Sequence, residues 1–200
     1  MEPRVAWIKK HFEAATGGLV RALAEHDVSP TTVSLVGLAI CLIGAPLIGM
    51  GWMYLGPAIF GIGSMADGVD GALARRRGIV SDFGAFLDST IDRVSEAAGL
   101  AGLAAYFASI GEVWAVVLAV LALFGGNLTS YVRARAETLG IPCESGLLSR
   151  TERVMLFTFG LVFQLPHFTV IALAVATIAT GAQRFLLVQK ALAVREATAG

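Results

Sequence analysis

The chain has 200 residues, of which 56% are hydrophobic and only 15% charged, with a mean hydropathy of +0.74. That balance excludes a disordered segment and an ordinary water-soluble domain, and it points to a single unit built in lipid. Fifteen Lys and Arg offset fifteen Asp and Glu, so there is no basic surplus for nucleic acid, and no nucleic-acid partner is expected.

In chain order, residues 1–30 come first. Pro3 to Asp27 lack a continuous apolar core and a small-residue cleavage site, so no signal peptide is expected there. Trp7, Ile8, Phe12, Ala15, Leu19, Val20 and Leu23 recur at helical spacing opposite Lys9, Lys10, Glu13 and Arg21. The pattern predicts an amphipathic helix, lying on the inner membrane surface or packed on the rest of the molecule. Ser29 and Pro30 then suit a helix cap and first turn. Residues 31–190 carry apolar segments near Thr31–Met50, Trp52–Ala74, Phe83–Ile110, Val113–Val132, Val154–Gln164 extended back to Ser149, and Phe168–Val188. Most approach the ~20 residues that cross about 30 Å of hydrocarbon; the fifth is short. Backbone polar groups in lipid must be satisfied internally, so all six are expected to be helices. Residues 191–200 read as a cytoplasmic tail. The expected fold is an all-α integral membrane protein with six transmembrane helices behind an N-terminal interfacial amphipathic helix.

Basic residues orient this bundle. Arg4, Lys9, Lys10 and Arg21 precede the first span; Arg75, Arg76 and Arg77 follow the second; Arg133, Arg135, Arg150 and Arg153 separate the fourth and fifth; Arg184, Lys190 and Arg195 lie at the end. The turns near Gly51, Gly111 and Pro166 carry no Lys or Arg. The positive-inside rule places both termini on the cytoplasmic side of a plasma-membrane protein. Gly37, Ala39, Gly44, Ala45, Gly49, Gly61, Gly63, Gly125 and Gly126 let helices approach closely, for packing or at a dimer interface. Cys41 and Cys143 lie in different environments and are not expected to pair. His11, His26 and His167 form no metal-ligand spacing.

The chemistry lies in the stretch from Asp67 to Asp92, DGVDGALARRRGIVSDFGAFLDSTID. A charge at the bilayer centre costs about 2.5–3.5 kcal/mol, so four uncompensated carboxylates would cost roughly 10 kcal/mol. Asp67 and Asp70 at i,i+3 share one helix face with Gly71 and Ala74; Asp88 and Asp92 at i,i+4 share another with Gly84. A short basic turn from Arg75 to Ser81 would let the two helices lie side by side and bring the four carboxylates together. An all-oxygen donor set suits a hard cation, Mg²⁺ or Mn²⁺, and four carboxylates over-neutralise one ion, so two ions are expected.

The spacing D-x2-D-G-x2-A-R-x8-G-x3-D-x3-D matches at every position the signature of the CDP-alcohol phosphotransferases, which this chain resembles. The resemblance implies transfer of a phosphatidyl-type group from a CDP-linked lipid to an alcohol, with release of CMP. It implies metal ions on Asp67, Asp70 and Asp88. Gly71, Ala74, Arg75 and Gly84 would lie against the nucleotide and its diphosphate. Asp92 would be the catalytic base, a metal ligand, or both. It also implies a homodimer. Ser130 to Glu137, Gly146 to Arg153 and Gln183-Arg184 are similar to segments of the prokaryotic inositol-phosphate-using branch, the phosphatidylinositol phosphate synthases and their archaeal-lipid counterparts; Thr151 departs from it. By that resemblance Arg133, Arg150, Arg153 and Arg184 would bind an acceptor phosphate, since a guanidinium grips phosphate with a bidentate fork. Positive-inside anchoring is the competing reading, chiefly for Arg150 and Arg135. The expected donor is CDP-diacylglycerol or a CDP-linked ether lipid, the acceptor inositol 1-phosphate, in contact with membrane lipid. Glu96, one turn beyond Asp92, and Arg93 read as a charge pair. The alternatives are another acceptor such as glycerol 3-phosphate, a UbiA-like prenyltransferase, or a divalent-metal transporter.

Overall fold

The computed structural model describes residues 15–143 and 146–199, all helical apart from turns and connecting loops. The first helix, α1, covers 15–25. It buries Val20 against Val69 and Leu73, with Leu23 and Ala24 alongside, so this part packs on the bundle. Trp7, Ile8 and Phe12 lie outside the described residues. Then follow α2 (Pro30–Gly49), α3 (Leu55–Arg77), α4 (Asp82–Ser109), α5 (Val113–Thr138), α6 (Arg150–Val162) and α7 (Pro166–Ala199).

Local chemistry sets the helix ends near the acidic stretch. The Ser29 hydroxyl accepts the Thr32 N–H at 3.0 Å, with Pro30 at the first helical position. The basic residues Arg75, Arg76 and Arg77 are not a turn, as their charge had suggested, but the last turn of α3, where cations meet the negative end of the helix dipole. The reversal comes at Gly78, whose φ of +67° closes the helix in the left-handed region. Ser81 then caps α4 by accepting the Gly84 N–H at 3.1 Å. At α6, Ser149 and Glu152 form a reciprocal capping box.

The packing order departs from the expectation that the two Asp-bearing helices lie side by side. Helix α2 packs along both α3 and α4, which touch each other only briefly. The reason is steric: small residues let α2 come close to each. A Cβ on Gly63 of α3 would lie 2.6 Å from the Gly37 carbonyl oxygen of α2, and Gly102 of α4 presses on the Ala45 backbone of α2. In the other half, α5 packs on α7, with Gly125 against Thr177. Helix α6 lies between α3 and α7, joined to α3 by the tilted Phe60–Phe157 ring pair.

The interior holds Ile48, Leu103, Phe107, Leu161 and Val170, together with Thr129, Thr169, Thr177 and Thr180. Each of these threonine hydroxyls donates to a carbonyl three or four residues earlier, so none is buried unsatisfied. Large apolar side chains instead face outward: Val175 is 64% exposed, Ile62 61% and Phe124 58%. An apolar exterior around tightly apposed small residues is the distribution of a membrane protein. Pro30–Gly49, Val113–Thr138 and Pro166–Ala197 are each long and apolar enough to cross a membrane. Helix α6, the expected fifth span, has 13 residues; at 1.5 Å per residue it extends only about 20 Å. Helix α7 runs through the expected tail, where Ala191 and Leu192 pack near Ala136 and Cys143.

Candidate active site

The carboxylates occupy the last turns of α3 and the first turns of α4. One oxygen from each of Asp67, Asp70 and Asp88 lies within 4.8 Å of the others. Asp70 is buried, and the Ser34 hydroxyl of α2 donates to its Oδ2. Asp92 is also buried but stands outside this trio. All four aspartates and Arg150 line one recess between α2, α3 and α4. A second recess shares Ser64, Asp92, Ser95 and Arg150 with the first, and continues past Glu96 and Arg153 to Phe60 and Phe157.

Guanidinium groups divide these carboxylates. Arg150 of α6 is ion-paired with Asp67 at 2.7 Å and also with Asp92. Arg153, one turn on, is 5% exposed and grips both oxygens of Glu96, at 2.8 and 3.2 Å. Arg93 lies 4.0 Å from Asp92 and 3.9 Å from Glu96, and donates to Ser130. Glu96 fits where α5 has Gly126, since a Cβ there would meet Glu96 Oε1 at 2.8 Å. Five carboxylates (Asp67, Asp70, Asp88, Asp92 and Glu96) thus meet three guanidiniums (Arg93, Arg150 and Arg153), leaving a formal surplus of two negative charges. Asp92 Oδ1 is held by the Arg150 Nη2 ion pair, while Arg150 Nε is buried with no hydrogen-bond partner.

The remaining expected residues fall into two sets. A Cβ on Gly71 would meet only Arg75 Nη1 at 3.4 Å, and one on Gly84 only Ser81 Oγ at 3.2 Å, both from their own helix or its cap. Ala74 is half-buried and Arg75 is exposed, so this side of the carboxylates has room for a ligand. The expected acceptor arginines each hold a partner: Arg150 and Arg153 pair with carboxylates. Arg184 is buried and donates to the Thr129 carbonyl at 2.8 Å, one turn from Arg133 on α5. Arg133 itself is exposed and holds Glu137 at 2.8 Å. Gly126, Thr129 and Ser130, along one stretch of α5, therefore meet Glu96, Arg184 and Arg93 respectively. Sequence reasoning missed Ser34, Ser130 and the double contact of Arg150. A serine inside an apolar helix reads as a local back-bond, which Ser34 also makes to Pro30 O at 3.1 Å.

These residues fit a divalent cation. The donor set is oxygen only, three carboxylates converge, and the surrounding charge is in deficit by one divalent ion.

The family model for CDP-alcohol phosphatidyltransferase matches residues 28–188. A phosphatidylinositol phosphate synthase of Cutibacterium acnes is 34% identical over 207 aligned residues, covering 94% of this chain and 98% of that protein. Among solved structures, the phosphatidylinositol phosphate synthase of Mycobacterium tuberculosis with CDP-DAG bound superposes with a TM-score of 0.79 at 30% identity, over 86% of this chain and 92% of that one. The same mycobacterial enzyme in complex with manganese and citrate gives a TM-score of 0.79 at 29% identity, over 87% and 88%. The chain belongs to the CDP-alcohol phosphatidyltransferase family and is an enzyme of phospholipid biosynthesis.

Proposed function

We propose that this enzyme transfers the phosphatidyl group of CDP-diacylglycerol to inositol 1-phosphate, giving phosphatidylinositol phosphate and CMP. The observation that carries the proposal is the continuity of two recesses through Asp92: three clustered carboxylates lie on one side, and Glu96-held Arg153 on the other. A diphosphate and a second phosphate thus have separate anchoring ends with one carboxylate between them. Names of relatives support the acceptor, since the Cutibacterium and Mycobacterium proteins are phosphatidylinositol phosphate synthases.

In this reading Asp67, Asp70 and Asp88 hold Mg²⁺ or Mn²⁺, with Asp92 as a further ligand and two ions in the working site. The metal supplies charge neutralisation of the diphosphate and of the departing CMP. Gly71, Ala74 and Gly84 give the nucleotide a close approach to α3 and α4, and Arg75 donates to a phosphate oxygen. Asp92 takes the proton of the acceptor hydroxyl as that oxygen forms its bond to the lipid-bearing phosphorus. The phosphorus–oxygen bond to CMP breaks, and its electron pair leaves with CMP. No Ser–His or Cys–His pair lines the recesses among the described residues, so direct attack is preferred to a covalent intermediate. Arg153, Arg184, Arg133 and Arg150 orient the acceptor phosphate. We further infer six membrane crossings in a 31–190 domain, α1 at the interface, 191–200 as a tail, both termini and the site on the cytoplasmic face of the plasma membrane, and a homodimer. Segment hydropathy and the placement of Lys and Arg support that topology.

The test is a CMP-release assay on the purified chain with Mg²⁺ and CDP-diacylglycerol, offering inositol 1-phosphate, glycerol 3-phosphate, free inositol and serine separately. Release is expected with inositol 1-phosphate alone. Equal turnover of glycerol 3-phosphate would defeat the acceptor assignment and leave the family intact.

A further inference from the structure

Arg150 is the first residue of α6, held there by the Ser149–Glu152 capping box. Its fork reaches two carboxylates from different helices, Asp67 of α3 and Asp92 of α4. Asp67 also belongs to the converging trio, so it is common to the trio and to the arginine bridge. A cation between two carboxylates of different helices is what a bridging divalent ion would also be. Both terminal nitrogens of Arg150 are spent on the bridge, Nη1 on Asp67 and Nη2 on Asp92 Oδ1, while its Nε is buried with no hydrogen-bond partner. With Arg150 seated, one divalent ion cancels the local surplus of two negative charges; a second would over-neutralise it.

We infer that Arg150 is a built-in counter-cation: it holds Asp92 against Asp67 and competes with a second divalent ion for those two carboxylates. This makes Arg150 a positioning residue for Asp92 and sets the order in which cations load. The inference rests on the metal reading above. It differs from a purely structural pin between α6 and the α3–α4 end, because a pin stabilises equally with and without metal, whereas a competitor does not.

The experiment uses the full chain, purified in detergent and stripped with EDTA, and titrates it with Mn²⁺ while free Mn²⁺ is read by electron paramagnetic resonance. Thermal unfolding is followed with and without saturating Mn²⁺. The unaltered chain is expected to bind a tight ion and a weaker one. In Arg150→Gln the weaker ion binds about tenfold more tightly, the factor given by losing a 1.4 kcal/mol competitor. The same variant melts lower than the unaltered chain in EDTA and gains more in melting temperature from Mn²⁺. Arg150→Lys, which keeps the charge but reaches one carboxylate, shows a smaller tightening, and Arg77→Gln, at the rim beside exposed Asp27, leaves the Mn²⁺ isotherm unchanged. An Arg150→Gln isotherm equal to or weaker than that of the unaltered chain overturns the inference. Should that variant not fold, an Arg150→Lys isotherm identical to the unaltered one overturns it equally. Failure of the unaltered chain to bind Mn²⁺ at all would instead remove the metal reading beneath it.

Discussion

Two contact regions of α3 use glycine for opposite ends. Along the α2–α3 seam, Gly63 faces backbone: its missing Cβ is where the Gly37 carbonyl and the Cys41 backbone nitrogen lie. A few turns later, Gly71 faces only the tip of Arg75. The first glycine lets two helices touch; the second keeps a space open beside carboxylates. The same contrast separates Gly102, pressed on Ala45, from Gly84, which meets nothing but its own capping serine. Sequence spacing treats these residues alike. Only the neighbour decides whether a small residue is packing or room for a substrate.

The sharpest break between the two regions should come from the acidic end. Asp92→Asn leaves the seams untouched and is expected to lower CMP release by about 10²–10⁴, the usual contribution of a positioned base. A loss below tenfold would remove Asp92 from the proton step. Next comes Arg153→Ala, which strands buried Glu96 and should cost roughly 3–5 kcal/mol of stability. Replacing both partners, Glu96→Gln with Arg153→Met, should recover most of that cost in thermal unfolding; no recovery would mean that the pair is not the source. The comparison itself is tested by a matched pair of alanines. Gly63→Ala forces two backbones apart and should cost about 1–3 kcal/mol. Gly71→Ala should leave the melting temperature unchanged while raising the KM for the CDP-linked donor. Equal melting losses in both would erase the distinction. The smallest effect is expected at the rim, where Arg77 holds the Val28 carbonyl and an Asp27 that is 88% exposed. Arg77→Ala should cost about 0.2–1 kcal/mol, and less in high salt.

The site was legible in the chain to the extent that it is local. Eight fixed residues between Asp67 and Asp92 announced the family, and hydropathy located every helix from α2 to α7 to within a few residues, apart from the C-terminal extensions of α5, which runs on from Val132 to Thr138, and of α7. Glu96 paired with a basic residue as its position suggested, although Arg153 holds it more closely than Arg93 does. The turn between α3 and α4 lies later than the basic run from Arg75 suggests, because arginines favour a helix C-terminus and Gly78 supplies the break. The prenyltransferase and transporter alternatives, open on composition alone, are set aside by family membership.

What the sequence determined by itself was periodic or contiguous: helix ends, apolar runs, and carboxylates one turn apart on a shared face. Those properties depend on a residue and its neighbours within about four positions, which is the reach of a helical turn. What only the tertiary structure decided was which helix meets which. Wedging α2 between α3 and α4, seating Ser34 on Asp70 and swinging Arg150 across to both Asp67 and Asp92 all depend on how closely small residues allow backbones to approach, and on how far a guanidinium reaches from a helix far along the chain.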